Sequence, residues 1–352
     1  MTSPHSLNLT TGSPRRALKK ASRRRLRHTA LPAAVAAAVP AAVAVVAALL
    51  LGACGASDDA APETGTRETG LSETVQPGEQ SASLKEHSRE LREDVITVTD
   101  TVTVAIGFGL GNSILVEGET CAFVVDTTES REIAARILEK FRERTEKPIE
   151  ALIYTHNHAD HIFGADVFAD GRSLPIYAHA TTAGEVDKAI NIIRPILSKR
   201  SARMFGTYLT VGENGLVNAG LGLLLGITGP DGGSIGYLPP TVTFEDRLET
   251  EICGRPVVLQ HAPGETDDQI AVYLPDEKIL MPGDNIYRAF PNLYTIRGTS
   301  YRDVAVWAKT LDMLRAFGAD HLAPSHTRPV SGAAAIDEIL TAYADGIRFV
   351  HD

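Results

Sequence analysis

The chain has 352 residues, with 34 Lys and Arg against 44 Asp and Glu and a formal net charge of −10. Its first 54 residues hold eight of the basic side chains and no acid, so the remainder is more acidic still, 26 basic residues against 44 acidic. A surface of that sign excludes nucleic acid as substrate or partner, because binding phosphate relies on cationic side chains.

The chain opens with a basic region (Arg15, Arg16, Lys19, Lys20, then Arg23 to Arg25 and Arg27). An Ala/Val/Leu-rich run from Leu31 to Leu51 follows, and then Leu51-Gly52-Ala53-Cys54. That order reads as a secretory signal over residues 1–54 ending in a lipobox-like sequence. Cys54 is then expected to carry lipid and to hold an exported protein on the outer face of the cytoplasmic membrane. An uncleaved membrane anchor is the alternative, since the apolar run is long enough to span. Ser22 to Leu26 also resembles a twin-arginine export signal. Residues 55–90 start in Ala, Ser, Thr, Gly, Pro and Glu with almost nothing apolar, and are expected to be a disordered acidic linker. Residues 91–352 suffice for one α/β catalytic domain.

That domain begins with β-type runs at Val95–Val98, Val102–Ile106, Ser113–Val116 and Cys121–Asp126, punctuated by Gly-rich or acidic turns. Thr128 is expected to cap a helix whose apolar face carries Ile133, Ala134, Ile137, Leu138 and Phe141. A strand over Ile149–Tyr154 follows. The β-β-β-β-α-β order is that of a half-sandwich flanked by helix. Cys121 and Cys253 lie beside strand-like sequence without the spacing of a zinc pair. They are read as buried thiols, with a disulfide as the alternative in an exported protein.

The strand at Ile149–Tyr154 delivers Thr155-His156-Asn157-His158-Ala159-Asp160-His161, an H-x-H-x-D-H loop. Imidazole and carboxylate suit zinc or a similar divalent ion, and four donors within six residues exceed what one tetrahedral ion takes from one loop. Two ions roughly 3.5–4 Å apart are the usual machinery for hydrolysis by a metal-bound hydroxide. Val186–Leu197 reads as helical until Pro195. Gly206–Gly236 is a glycine-rich apolar stretch, either substrate-facing or a packed insertion.

Strand-like sequence returns at Val242–Phe244, Arg255–Leu259, Gln269–Leu274 and Lys278–Met281. Glu265, Asp284 and His326 each stand in a turn immediately after a strand. With His156, His158, Asp160 and His161 they make seven donors, enough for two divalent ions, and Asp284 is the carboxylate expected to be shared. His261 is a rival to Glu265, whereas His179 and His321 read as structural. A helix over Asp303–Phe317 turns Val304, Trp307, Ala308, Leu311 and Leu314 inward, and a second runs from Ala333 towards Asp352.

Taken together, the H-x-H-x-D-H loop, the Pro263-Gly264 turn, the Gly283-Asp284 turn and the late His326 resemble the metallo-β-lactamase superfamily. Where that superfamily usually has Pro-Gly-His-Thr, this chain has Pro263-Gly264-Glu265-Thr266. The glutamate, with Asn285 to Thr299 downstream, resembles the alkyl sulfatase branch; so do Arg203–Gly206, Ala219–Gly222 and Leu238–Thr241. The resemblance implies an αββα sandwich and two divalent ions, zinc by expectation. One would sit on His156, His158 and Glu265, the other on Asp160, His161 and His326, with Asp284 between them. It further implies that Arg297 holds the sulfate and that Asp160 orients the attacking hydroxide. The expected reaction is hydrolysis of an alkyl sulfate ester to sulfate and alcohol. A different ester on the same scaffold (lactone, thioester, β-lactam or phosphoester) is the alternative, and a non-catalytic binding lipoprotein a further one. Alkyl sulfatases continue into helical dimerisation and sterol-carrier-like domains, which this sequence is expected to lack.

Overall fold

The computed structural model describes residues 82–212, 215–225 and 233–352. The leader, Cys54 and the linker before residue 82 lie outside the described residues. The linker expected as far as residue 90 is corrected at its end, because helix α1 (Ala82–Glu90) occupies the last nine positions. Contacts made beyond the helix explain its order. His87 Nε2 lies 3.2 Å from the Gly220 carbonyl, Glu90 lies 3.7 Å from Arg328, and Leu91 just after the helix is only 1% exposed.

Seven strands follow in one sheet, in chain order: β1 (Asp94–Thr97), β2 (Val102–Ile106), β3 (Ser113–Glu117), β4 (Ala122–Val125), β5 (Ile149–Ile153), β6 (Ile176–His179) and β7 (Val242–Phe244). The first four are antiparallel neighbours and the last four parallel. A second sheet holds β8 (Arg247–Ile252), β9 (Arg255–His261), β10 (Ile270–Leu274), β11 (Ile279–Met281), β12 (His321–Leu322) and β13 (Val330–Ser331), ordered β13-β12-β11-β10-β9-β8.

Side chains alternate across each strand, so one face of each sheet meets the other sheet. From the first sheet Val104, Ile114, Phe123 and Ile153 enter the shared core, and from the second Leu259, Val272 and Met281. The opposite faces are covered by helices. On the first sheet lie α2 (Arg131–Arg144), α3 (Ala159–Ile162), α4 (Ala165–Ala169) and α5 (Thr182–Asp187), supplying Ile137, Phe141, Ile162, Phe168 and Val186. A helix α6 (Arg194–Met204) follows with no buried residue. On the second sheet lie α7 (Val304–Arg315) and α8 (Ala333–His351), supplying Trp307, Leu311, Leu314, Leu340 and Ile347. The layers are α, β, β, α, as the resemblance implied. Burial on both faces explains why β4, the middle of β3 and the end of β5 read as apolar runs.

Several local expectations are corrected. Ser130, not Thr128, caps α2, accepting from the Ile133 amide at 3.3 Å, while Thr128 has φ 59° in the turn before it. Pro195 stands in the first turn of α6 instead of ending a helix, where its missing amide costs nothing. A π-helical turn (Lys188–Ile192) joins α5 to this helix. Strand β8 was not expected, because its alternation sets Leu248 and Ile252 among Arg, Glu and Thr. The cysteines expected as thiols form a disulfide, Cys121–Cys253, with Cα atoms 5.3 Å apart. The two residues sit at the β3–β4 and β8–β9 turns, which the packed sheets bring together; Glu119 N bonds Cys253 O at 3.1 Å.

Candidate active site

The seven donors stand in the turns, and in the short helix α3, that follow strands, on the edge where the parallel strands β4 and β5 end, a position where α/β sheets bind ligands. His156 and His158 leave β5, while Asp160 and His161 open α3. Glu265 lies in the β9–β10 turn, Asp284 after β11 and His326 after β12. Gly283, at φ 61°, makes the turn that aims Asp284 inward; a side chain there would press on Thr155.

The seven donors fall into two groups whose ligand atoms lie within 4.8 Å of one another: His156, His158, Glu265 and Asp284, and Asp160, His161 and His326. Glu265 Oε2 is 3.2 Å from His158 Nδ1 and 3.6 Å from His156 Nε2. Asp160 Oδ2 is 3.4 Å from both His161 Nε2 and His326 Nε2. Asp284 Oδ2 reaches both groups, at 3.0 Å from His326, 3.4 Å from His161 and 3.7 Å from His156. His261, the rival to Glu265, is turned away; its Nε2 donates to Asp267 O at 2.8 Å and its ring stacks on His179 at 4.2 Å.

The far nitrogens fix the rings. His161 Nδ1 donates to Asp126 Oδ2 at 2.9 Å and His326 Nδ1 to the Leu110 carbonyl at 2.9 Å, which leaves each Nε2 facing the site. Thr155 Oγ1 lies 3.0 Å from His156 Nδ1 and donates to Asp126 at 2.8 Å. Asp126, fully buried, also accepts from the Thr155 amide and from Ser325 Oγ. Asn112 holds the His326 turn by donating to the Pro324 and Thr327 carbonyls.

Burial would push both acids towards neutrality, yet His161 and His326 hold Asp160 and Asp284 below the ordinary carboxylate range. Burial likewise opposes charge on His161 and His326, but Asp284 foremost raises both. His156 is driven well down by burial and then by its histidine neighbours. Acids kept ionised in a dry pocket call for cations. The donor set fits that need. His161 Nε2, Glu265 Oε2 and Asp284 Oδ1 are buried without a hydrogen-bond partner among the described residues, and each costs about 1–3 kcal/mol if left so.

The second sheet's turns are fastened from α7. Trp307 Nε1 donates to Asn285 O at 3.0 Å and Thr310 Oγ1 to Pro263 O at 2.6 Å, while Asn285 Nδ2 reaches Ala262 O at 2.7 Å. Glu265 Oε1 lies 2.8 Å from the buried Arg302 guanidinium. Beside the donors opens a cavity of about 390 Å³, bordered by His158, Asp160, Glu265 and Arg297. Its apolar wall includes Phe163, Val186, Ile190, Leu197 and Phe205, and among the described residues of the expected substrate-facing stretch Thr207, Leu225 and Ile235 also line it. Arg297 NH2 stands 3.2 Å from His158 Nε2. With an ion on its Nδ1, His158 would carry its proton on Nε2 and so would release the guanidinium from this contact. Among the described residues Arg297 has no carboxylate ion-pair partner.

Sequence reasoning missed Asp126, Arg302 and Asn112. The only signal for Asp126 was its place at the end of β4; the other two gave none.

With this geometry in place, comparison with known proteins is decisive at the level of the family. The sequence profile of the metallo-beta-lactamase superfamily matches residues 106–326. The chain belongs to that superfamily. Within the metallo-beta-lactamase superfamily it is 38% identical over 244 residues to the linear primary-alkylsulfatase of Pseudomonas sp., covering 68% of this chain and 45% of that one. It is 32% identical over 267 residues to the alkyl/aryl-sulfatase BDS1 of Saccharomyces cerevisiae, covering 72% and 40%. A solved double mutant of the sec-alkyl sulfatase PisA1 superposes with a TM-score of 0.70 at 25% identity, over 77% of this chain and 44% of that one. This metallo-beta-lactamase relative thus spans less than half the length of each of the three.

Proposed function

We propose that the chain is an alkyl sulfate ester hydrolase working at a centre of two divalent ions, zinc by preference for imidazole and carboxylate donors. One observation carries the proposal: two donor groups sharing Asp284 border an apolar cavity at which Arg297 also stands. His156, His158 and Glu265 would hold one ion and Asp160, His161 and His326 the other, with Asp284 common to both. When bound, such a pair would polarise the ester and lower the pKa of water to about 7.

The chain's own groups supply the rest. The cavity wall takes the alkyl portion and excludes water from it. Arg297 offers a planar fork of donors to the sulfate oxygens, a match for a tetrahedral oxyanion. Asp160 is the one carboxylate of its group that also borders the cavity, so it orients water on the substrate side. Water adds across the ester, and sulfate and the alcohol leave. The alkylsulfatases to which the chain is similar support this substrate class.

The test is sulfate release from a medium-chain alkyl sulfate. A chelator is expected to abolish it and added zinc to restore it, and Arg297→Ala to lower kcat/KM about a hundred- to a thousandfold. Release that survives chelation, or is unchanged in both Arg297→Ala and Glu265→Ala, would sink the assignment.

We also propose that the mature protein is exported and held on the membrane by lipid at Cys54. The basic and apolar leader supports this, as does a Cys121–Cys253 disulfide of the kind that persists in oxidising compartments. A Cys54→Ser variant that still fractionates with membranes would argue against the lipid.

A further inference from the structure

We propose that Arg302 is the positioning residue that makes a glutamate workable at position 265. It holds one carboxylate oxygen so that the other alone is presented to the metal position of His156 and His158. The inference rests on the reading of Glu265 as a metal donor. Glu265 is 7% exposed, and a carboxylate removed from water to that degree is costly unless paired. Its pair is at hand. The Arg302 side chain is 2% exposed and its NH2 lies 2.8 Å from Glu265 Oε1, at ion-pair distance though off the line of a hydrogen bond. Arg302 NH1 donates to the Asn292 carbonyl, so the guanidinium is anchored at its other end. Asp303, the next residue, caps α7 by accepting from the Val306 amide at 3.0 Å, which fixes the backbone that carries Arg302.

The result is an asymmetric carboxylate. Oε1 faces the arginine, whereas Oε2 faces His158 Nδ1 and His156 Nε2 and has no hydrogen-bond partner. A neutral imidazole at the same place would need no counter-charge. It would also leave Arg302 as a buried cation without a carboxylate, its Nε and NH2 already lacking aligned acceptors. The two side chains therefore depend on each other, and the dependence has a sign. Removing Arg302 should harm the protein when residue 265 is glutamate and help it when residue 265 is histidine.

Cobalt(II) titration of chelator-stripped protein, followed by visible absorption, separates the two metal positions. The native chain should take up two ions. Arg302→Met should weaken one position at least tenfold and leave the other within twofold, and Arg302→Lys should recover part of the loss. Glu265→His alone should bind worse than Glu265→His combined with Arg302→Met. An Arg302→Met protein that titrates like the native one overturns the inference, as does a double variant no better than Glu265→His alone. If Arg302→Met does not fold, the double variant decides: folded with two ions it upholds the inference, unfolded or short of one ion it overturns it. A native chain that binds no cobalt would instead refute the two-ion reading on which the proposal stands.

Discussion

Asp126 touches no candidate ion position and yet organises the centre. Its two oxygens accept from Thr155 N, Thr155 Oγ1, Ser325 Oγ and His161 Nδ1, gathering groups from both sheets. Its backbone is left-handed, at φ 58°, a conformation that asparagine also adopts readily. Asp126→Asn therefore removes the charge without straining the chain. We expect metal affinity to fall about 10- to 100-fold, as measured by competition with a chromogenic chelator. The seven donors were legible in the sequence because each is a polar side chain placed where an apolar strand ends. Asp126 and Arg302 were not, because their roles come from contacts across 35 and 37 residues of sequence, Asp126 to His161 and Arg302 to Glu265. A lone aspartate after a strand, or an arginine before a helix, carries no sign of such a partner.

Helix α7 shows how one element can position two turns at once. Trp307, fully buried, holds Asn285 O, and Thr310 one turn further on holds Pro263 O. Trp307→Phe keeps most of the packing but leaves that carbonyl without its donor. It should lower stability by about 1–3 kcal/mol in urea unfolding and loosen the Asp284 turn. At the opposite end of the domain, Glu117 on β3 lies 3.2 Å from Arg144 Nε and 3.5 Å from Lys147 Nζ. Burial alone would raise its pKa, but hydrogen bonds from Thr145 and Arg144, with the charges of Lys147 and Arg144, hold it below the ordinary value. A lowered folded pKa stabilises above the unfolded value of about 4.3 and is lost as pH falls through the folded one. Glu117→Gln should therefore cost less than about 1 kcal/mol at pH 7, and the difference should vanish in unfolding curves taken well below pH 4. Elements with uninterrupted apolar runs or a clear 3.6-residue stripe were readable in advance. Strand β8 was not, since its solvent face is charged, and the start of α6 was not, since a proline reads equally well as an end.

The whole domain is two sheets joined at both ends. Away from the site they are tied by Cys121–Cys253, which closes a span of 132 residues. β4 runs from that disulfide to Asp126, so the tie and the chemistry lie at opposite ends of one strand. Replacing both cysteines with serine should lower stability by about 2–5 kcal/mol in chemical unfolding while turnover per folded molecule stays close to native. At the other end the joint is the donor set itself, for each group draws on both sheets. His156 and His158 meet Glu265 and Asp284, and Asp160 and His161 meet His326.

That mixing gives the centre an order in time. As the chain is synthesised, the histidine-rich loop emerges before Glu265, Asp284 and His326, so neither group of donors is yet complete. Neither position can close until the second sheet has been made and docked, and the Asp160 group waits for His326. On the two-ion reading, a tightly held ion would therefore report that the fold has been completed.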